Sequence, residues 1–165
     1  MTNKFSIRAA TVADVPLILR FIHELAEYEK LPHEVTATKE LLRQNLFTKR
    51  TAEVLLAMEG DQAVGFAVFF HNFSTFLGKP GIYLEDVFVR PEFRGRGYGK
   101  ALMISVSRIA KERDCGRFEY SVLDWNKPSL VFYHSLGAVA MDEWTVQRMN
   151  RNAIEALALQ KLPGE

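Results

Sequence analysis

Apolar residues recur along this chain with two periods, and the switches between them divide it into elements. Val15, Ile18, Ile22 and Leu25 fall three or four residues apart, while Glu24, Glu27 and Glu29 fall largely elsewhere. That is a helix with one buried stripe, beginning near Val12 and running to about Lys30. Thr11 and Asp14 stand at capping-box spacing before it, with Asp14 replacing the usual Glu or Gln. A short strand, Phe5 to Arg8, precedes it. After Leu31-Pro32-His33, Thr38 to Phe47 reads as a second helix with Leu41, Leu42 and Leu46 available for burial.

The period then shortens. Glu53 to Met58 and Ala63 to Phe73 are rich in Val, Leu and Phe and flank the turn-forming run Glu59-Gly60-Asp61-Gln62, which predicts an antiparallel hairpin. Ile82 to Arg90 is the next strand, and Pro91 stops it because it has no backbone donor for a ladder. Gly97 to Arg113 reads as a helix with Leu102, Val106, Ile109 and Ala110 inward, and Arg117 to Leu123 is strand-like. Asn126 is placed to cap a short helix with Pro128 in its first turn and Gly137 at its end. Val139 to Met149 reads as a final strand, and Ala153 to Leu159 as a short terminal helix.

The chain has 165 residues, 48% of them hydrophobic and 25% charged, with a formal net charge of +1. The length suits one domain over residues 1–165, and the composition is that of a folded globular protein. So small a net charge gives no general pull toward nucleic acid or a membrane surface. No run approaches the ~20 apolar residues of a membrane span. The single cysteine, Cys115, has no internal disulfide partner, and MTNKFSIRAA lacks the apolar core of a secretory signal. The expectation is a cytoplasmic protein. His23, His33, His71 and His134 are scattered with no zinc-like spacing, so no metal is expected.

Candidate chemistry concentrates between Tyr83 and Leu102. Gly95, Gly97 and Gly99 join the apolar strand to a helix, with Arg94, Arg96 and Lys100 interleaved. Glycines permit unusual dihedrals and close approach, and the unpaired N–H groups of a helix start point at an anion in the field of the helix dipole. Such a loop suits a diphosphate. The spacing misses the third glycine of the dinucleotide fingerprint, and Gly95 to Lys100 is one residue short of a Walker loop. Hydride and phosphoryl transfer therefore lose ground.

Glu85 and Asp86 precede the loop on the same strand, so in regular geometry their side chains project to opposite faces. They are either an acid–base pair or ordinary structural carboxylates. Tyr133, after Phe132 in the short helix, reads on its own as a packing tyrosine with a polar handle. The cluster Phe66, Phe69, Phe70, Phe73 and Phe76 reads as core. Cys115 lacks an obvious His partner, which argues against an acyl-cysteine.

Arg94, Gly97 and Gly99 match the acetyl-CoA loop of the GNAT N-acetyltransferases: Gln or Arg, two variable residues, Gly, one variable residue, then Gly or Ala. The chain resembles this family over nearly its whole length. It is most similar to the spermidine/spermine branch, through Ile7-Arg8 with Ala10-Thr11, Glu24-Leu25-Ala26 with Tyr28-Glu29, Tyr83-Leu84-Glu85-Asp86, and Trp125-Asn126 through Gly137-Ala138. It departs from that branch at Val87, where a second aromatic is usual, and in the short segment between the first hairpin strands.

The resemblance implies an α/β fold with a mixed, mostly antiparallel, V-splayed sheet flanked by helices, and acetyl-CoA as cosubstrate. It implies that Val87, Phe88 and Val89 offer backbone to the pantetheine arm, and that Arg94, Gly95, Arg96, Gly97, Tyr98, Gly99 and Lys100 hold the pyrophosphate. Asn126 and Ser129 become cofactor contacts. Glu85 helps take the proton from the amine and Asp86 attracts the cation, with Tyr28, Glu29 and Glu143 completing the substrate site. Tyr133 protonates the departing thiolate. The implied activity is acetylation of a small cationic amine (a polyamine, diamine or lysine-like amino acid) by a homodimer. Peptide or amino-acid acetylation on the same scaffold, and a noncatalytic acyl-CoA sensor, are the alternatives.

Overall fold

In the computed structural model, which describes residues 4–164, the chain opens with strand β1 (Phe5–Ala9) and helix α1 (Val15–Tyr28), the latter entered through a tight turn at Val12–Asp14. Asp14 fixes that entry. Its carboxylate accepts the Thr11 backbone N–H at 2.7 Å and both arms of the Arg8 guanidinium at 2.8 Å. Val15, Ile18, Phe21, Leu25 and Ala26 form the buried face of α1. The expected second helix divides into α2 (Lys39–Leu42), capped by the Thr38 hydroxyl on the Leu41 N–H, and a wider π turn at Arg43–Thr48.

Strands β2 (Glu53–Glu59), β3 (Gln62–Ser74) and β4 (Lys79–Val89) follow, then helix α3 (Tyr98–Glu112) and strand β5 (Arg117–Tyr120). They form one sheet in the order β1-β2-β3-β4-β5, antiparallel except for β4 with β5. On one face Val54, Leu56, Met58, Phe66, Val68 and Phe88 form a cluster with Ile18, Phe21 and Leu25 of α1. The opposite parity, Leu55, Ala57, Ala67 and Phe69, is also buried, and α3 contacts every strand of the sheet. A strand covered on both faces needs apolar residues at every position. This is why β2 and β3 read as nearly continuous hydrophobic runs.

Within α3 the buried positions are Leu102, Met103, Val106 and Ala110. Met103 replaces the expected Ile109, which is only half-buried. Strand β4 starts at Lys79, earlier than expected, because Lys79 to Gly81 pair with Ser74 to Asn72 across the hairpin. Of the phenylalanine cluster, Phe66 and Phe69 are fully buried, whereas Phe73 and Phe76 are exposed.

The regular alternation expected at Glu85 and Asp86 does not hold. Val68 pairs with Asp86, while its neighbour Phe69 pairs with Leu84, leaving Glu85 as an extra residue in β4. This is a β-bulge, which shifts the side-chain phase by one. Leu84 shares the face of Phe69. Asp86 and Phe88 share the face of Val68, on the α1 side. No Gly or Pro marks the bulge in the sequence.

The chain divides into two compact units, one through Ser121 and one from Val122. The second holds helices α4 (Lys127–Ser135) and α5 (Arg151–Ala158). Asn126 caps α4 by accepting the Ser129 N–H at 3.3 Å, and Gly137 takes φ +93° just past its end. The strand expected over Val139 to Met149 does not form. Strand-forming residues such as Val139, Trp144, Thr145 and Val146 are present, but no described strand pairs with them, and Val139, Trp144 and Val146 are all at least 74% exposed. Strand propensity without a ladder partner does not make a strand. Among the described residues no helix is long and apolar enough to cross a membrane.

Candidate active site

The site in the first unit begins with an unfilled edge. Strand β5 pairs with β4 only from Gly81 to Leu84. From Glu85 onward, through Val87, Phe88 and Val89, no described strand covers that side of β4. The bulge lies where the two strands part, as expected of a feature that bends a strand and increases its twist. A free strand edge offers alternating N–H and C=O groups to any extended amide-bearing ligand.

Beyond β4 the chain turns at Pro91–Phe93 and reaches α3 through Arg94 to Gly97. Gly95 and Gly97 have φ of +75° and +83°, and a Cβ built on either meets nothing within 4 Å. Their role is therefore conformational: left-handed backbone is strained for residues with a side chain. Gly97 is the cap of α3, a 15-residue helix whose first N–H groups lack intrahelical partners. Gly99 lies inside the helix. The cations are disposed differently from one another. Arg94 donates through Nε to the Val89 carbonyl at 2.8 Å and lays its guanidinium over the rings of Tyr28 (4.6 Å) and Phe88 (5.5 Å). Arg96 pairs with Glu59 at 3.0 Å, and Tyr98 donates its hydroxyl to the same carboxylate at 2.7 Å while stacking on Phe5. Lys100 is exposed on the first turn of α3. A helix cap, two left-handed glycines and a free strand edge together fit a ligand carrying a diphosphate and an amide arm.

Next to the edge lies a group of acids. Asp86 is largely withdrawn from water, and burial, reinforced by the negative charges of Glu85 and Glu29, pushes its carboxyl up to about 7. Burial also pushes Glu29 up. Glu85 is exposed. Thus four predicted site residues, Glu29, Glu85, Asp86 and Phe88, gather on or beside one stretch of β4. Tyr28 joins them through Arg94. A groove of about 360 Å³ nearby is lined by Tyr28 and Phe88 with Glu24, Glu27, Arg90, Pro91 and Glu92.

Arg90 did not stand out in the sequence. Its guanidinium holds Glu24 with two bonds of 2.8 Å, donates to the Ala63 carbonyl at 3.0 Å and covers the Phe21 ring at 4.8 Å. It thereby ties the end of β4 to α1. No local spacing announces a pair 66 residues apart.

In the second unit Tyr133 is buried in α4 with its ring 5.4 Å from that of Phe132, and Asn126 and Ser129 form the helix cap already described. Glu143 is exposed in the irregular segment after Gly137. Cys115 does have a histidine nearby: His71 Nδ1 lies 3.9 Å from its sulfur. That ring is otherwise engaged, with Nδ1 against the Gly81 carbonyl at 3.1 Å and Nε2 against Arg113 at 2.9 Å.

A family model described as the acetyltransferase (GNAT) family matches residues 19–138. The chain is 38% identical over 164 residues to a thialysine N-epsilon-acetyltransferase of Sus scrofa, covering 92% of this chain and 96% of that one. It is 31% identical over 197 residues to an L-ornithine N5-acetyltransferase of Arabidopsis thaliana, covering 92% and 86%. Among solved structures, an integron cassette protein from the mobile metagenome of V. cholerae superposes with a TM-score of 0.79 at 25% identity, covering 94% of this chain and 98% of that one.

Proposed function

The chain belongs to the GNAT acetyltransferase family, and we propose that it transfers acetyl from acetyl-CoA directly to the terminal amine of a small cationic substrate. The substrate class is a lysine-like or ornithine-like amino acid, a diamine or a polyamine. The observation that carries this reading is the acid group on β4: Asp86 is drawn into an apolar layer with Glu29 and Glu85 as its charged neighbours, and among the described residues no cation pairs with it. An alkylammonium supplies the missing positive charge. The thialysine and ornithine enzymes named above act on amines of this kind, which supports the same class here.

In this reading the free edge of β4 at Val87 to Val89 receives the pantetheine arm, and Arg94 to Lys100 hold the pyrophosphate at the start of α3. On the resemblance to the spermidine/spermine branch, Tyr28, Glu29 and Glu143 are assigned to the amine, and Asn126 and Ser129 to the cofactor. Aminolysis of a thioester requires a neutral amine, whereas an alkylammonium with pKa ~10.4 is almost wholly protonated near pH 7. The Glu85–Asp86 pair attracts the cation and accepts its proton. The amine nitrogen then attacks the thioester carbonyl, the C–S bond breaks, and Tyr133 protonates the thiolate. The family match runs on both sides of Ser121, which supports treating residues 1–165 as one acetyltransferase domain. We extend the proposal to a cytoplasmic homodimer, on the resemblance to the spermidine/spermine branch.

The test is CoA release with purified protein over lysine analogues, ornithine, diamines, polyamines and peptides, with product mass spectrometry. Terminal acetylation of small cationic amines is expected. Turnover confined to peptides would overturn the substrate class, and acetyl-CoA binding without turnover on any amine would overturn the enzymatic reading. Light scattering at assay concentration tests the dimer.

A further inference from the structure

The groove beside the candidate site takes its walls from two different elements. Glu24, Glu27 and Tyr28 line it from α1, and Phe88 and Arg90 from the end of β4 and the residue that follows. Deeper in, α1 is held to the sheet by packing: Phe21 is fully buried, stacks on Phe66 at 5.2 Å and meets Phe88 edge-on at 6.4 Å. Across the groove the walls are joined instead by charge, the Arg90 guanidinium on the Glu24 carboxylate. We infer that Arg90 and Glu24 form a positioning pair, which sets the end of α1 that carries Tyr28 and Glu29 against the cofactor edge of β4. The inference rests on the acetyltransferase reading above and adds two residues to it.

The geometry of the pair suits that task. Arg90 Nε and Nη2 donate to different oxygens of Glu24, each at 2.8 Å. A planar guanidinium bonded at two points fixes angle as well as distance. The side chains are only 18% and 29% exposed, which spares them much of the screening that makes surface pairs weak. Arg90 is itself immobilised on the sheet. Its backbone N–H donates to the Val64 carbonyl at 2.9 Å, and Nη1 donates to the Ala63 carbonyl at 3.0 Å. With the guanidinium so anchored to β3, the freedom that remains in the pair is that of Glu24, and therefore of α1.

The position of the pair connects it to the reaction. Glu24 stands four residues, about one turn, before Tyr28 on α1. Arg90 follows Val89, the last residue of the free edge. In the proposed reaction the amine is held from α1 and the thioester from β4, so the relative placement of these elements is the placement of the reactants. Reacting atoms must approach to about 3–3.5 Å in alignment, and a displacement of about 1 Å can cost roughly 100-fold in rate. The contact of Arg94 with the Tyr28 ring also joins the two elements, but its cation belongs to the group assigned to the pyrophosphate. The Arg90–Glu24 pair keeps its partners when the cofactor is bound.

The experiment compares wild type with Arg90→Met, Glu24→Gln and the double variant by steady-state kinetics for the amine, calorimetric titration with acetyl-CoA and thermal unfolding, the kinetics being run below every unfolding transition. Arg90→Lys is a further variant in case loss of the charge disturbs folding, since it keeps the charge without the fork. Each single variant should lose roughly 10- to 100-fold in kcat/KM for the amine, with acetyl-CoA affinity changed by less than about threefold. Because the two side chains act as a unit, the double variant should lose no more than the worse single one. Lower unfolding temperatures with wild-type kinetics in the folded variants would make the pair a structural tie and overturn the inference. Losses that multiply in the double variant, or an equal fall in acetyl-CoA affinity, would also overturn it. A wild type that acetylates no amine overturns the acetyltransferase reading and this inference with it, whereas wild-type kinetics in Glu24→Gln overturn the inference alone.

Discussion

The Arg94 guanidinium lies 4.6 Å from the centre of the Tyr28 ring, so the glycine loop touches the last turn of the helix that leads to Glu29. A cation–π contact at an exposed site contributes about 0.5–1 kcal/mol. In the proposed reaction Arg94 gives up that contact when it turns to the pyrophosphate. Replacing Tyr28 by Leu is therefore expected to tighten acetyl-CoA binding by roughly two- to fivefold, while raising KM for the amine. Calorimetric titration with acetyl-CoA checks this; weaker binding in a folded variant would show that the ring supports the loop instead.

Gly97 separates backbone conformation from bulk. Its φ is +83° with open space around the Cβ position, so a side chain meets strain and not a clash. Gly97→Val should weaken acetyl-CoA affinity by tenfold or more, because a β-branched residue is an outlier at positive φ. Gly97→Asn should lose much less, since Asn tolerates left-handed backbone. Equal losses in the two variants would point to steric exclusion by the ligand.

Tyr133 is buried against Phe132, so its ring and its hydroxyl can be tested apart. Tyr133→Phe should keep acetyl-CoA affinity and lose roughly 10²- to 10⁴-fold in kcat if the phenol protonates the thiolate. Tyr133→Ala should lose stability as well. Wild-type turnover by the Phe variant across the pH range would reject the acid role.

The Asp14–Arg8 pair makes a prediction about stability. Hydrogen bonding to Arg8, with further bonds from Thr11, holds the Asp14 carboxyl far below its usual range. A depressed folded pKa contributes stability that is present above the unfolded value, near pH 4, and is lost as pH falls below it. Arg8→Ala should lower stability at pH 7 by about 1 kcal/mol or less, as befits a pair with an exposed guanidinium. The difference from wild type should shrink toward pH 2. Thermal unfolding at both pH values measures it; an unchanged difference at low pH would assign the effect to packing.

Local pattern made the β2–β3 hairpin, α1, α3 and the Asn126 cap legible, because period, turn residues and caps are properties of neighbours in sequence. The glycine loop was legible for the same reason. What escaped depends on distant partners. The bulge at Glu85 exists only relative to Val68 and Phe69, and the Arg90–Glu24 pair spans 66 residues. Val139 to Met149 shows the converse: it is rich in strand-forming residues, but no described strand is available to complete it. Glu85 and Asp86 are legible as a pair, but the bulge that breaks the regular alternation there is not, since an irregular ladder cannot be read from two adjacent letters.

The bulge has a consequence for how β4 responds to mutation. Upstream of Glu85, even-numbered positions such as Ile82 and Leu84 lie on the Phe69 side; downstream, even-numbered Asp86 and Phe88 lie on the Val68 side. The even-numbered side chains of β4 thus serve one helical layer in its first half and the other in its second, with a single one-residue shift in the pairing to β3. Deleting Glu85 would restore a single phase and force one half of the strand to present the wrong side chains, either by turning Asp86 and Phe88 away from α1 or by turning Ile82 and Leu84 toward it. A one-residue deletion at this point should therefore be far more damaging than any single substitution there, and a compensating insertion a residue or two downstream should recover the fold before it recovers catalysis.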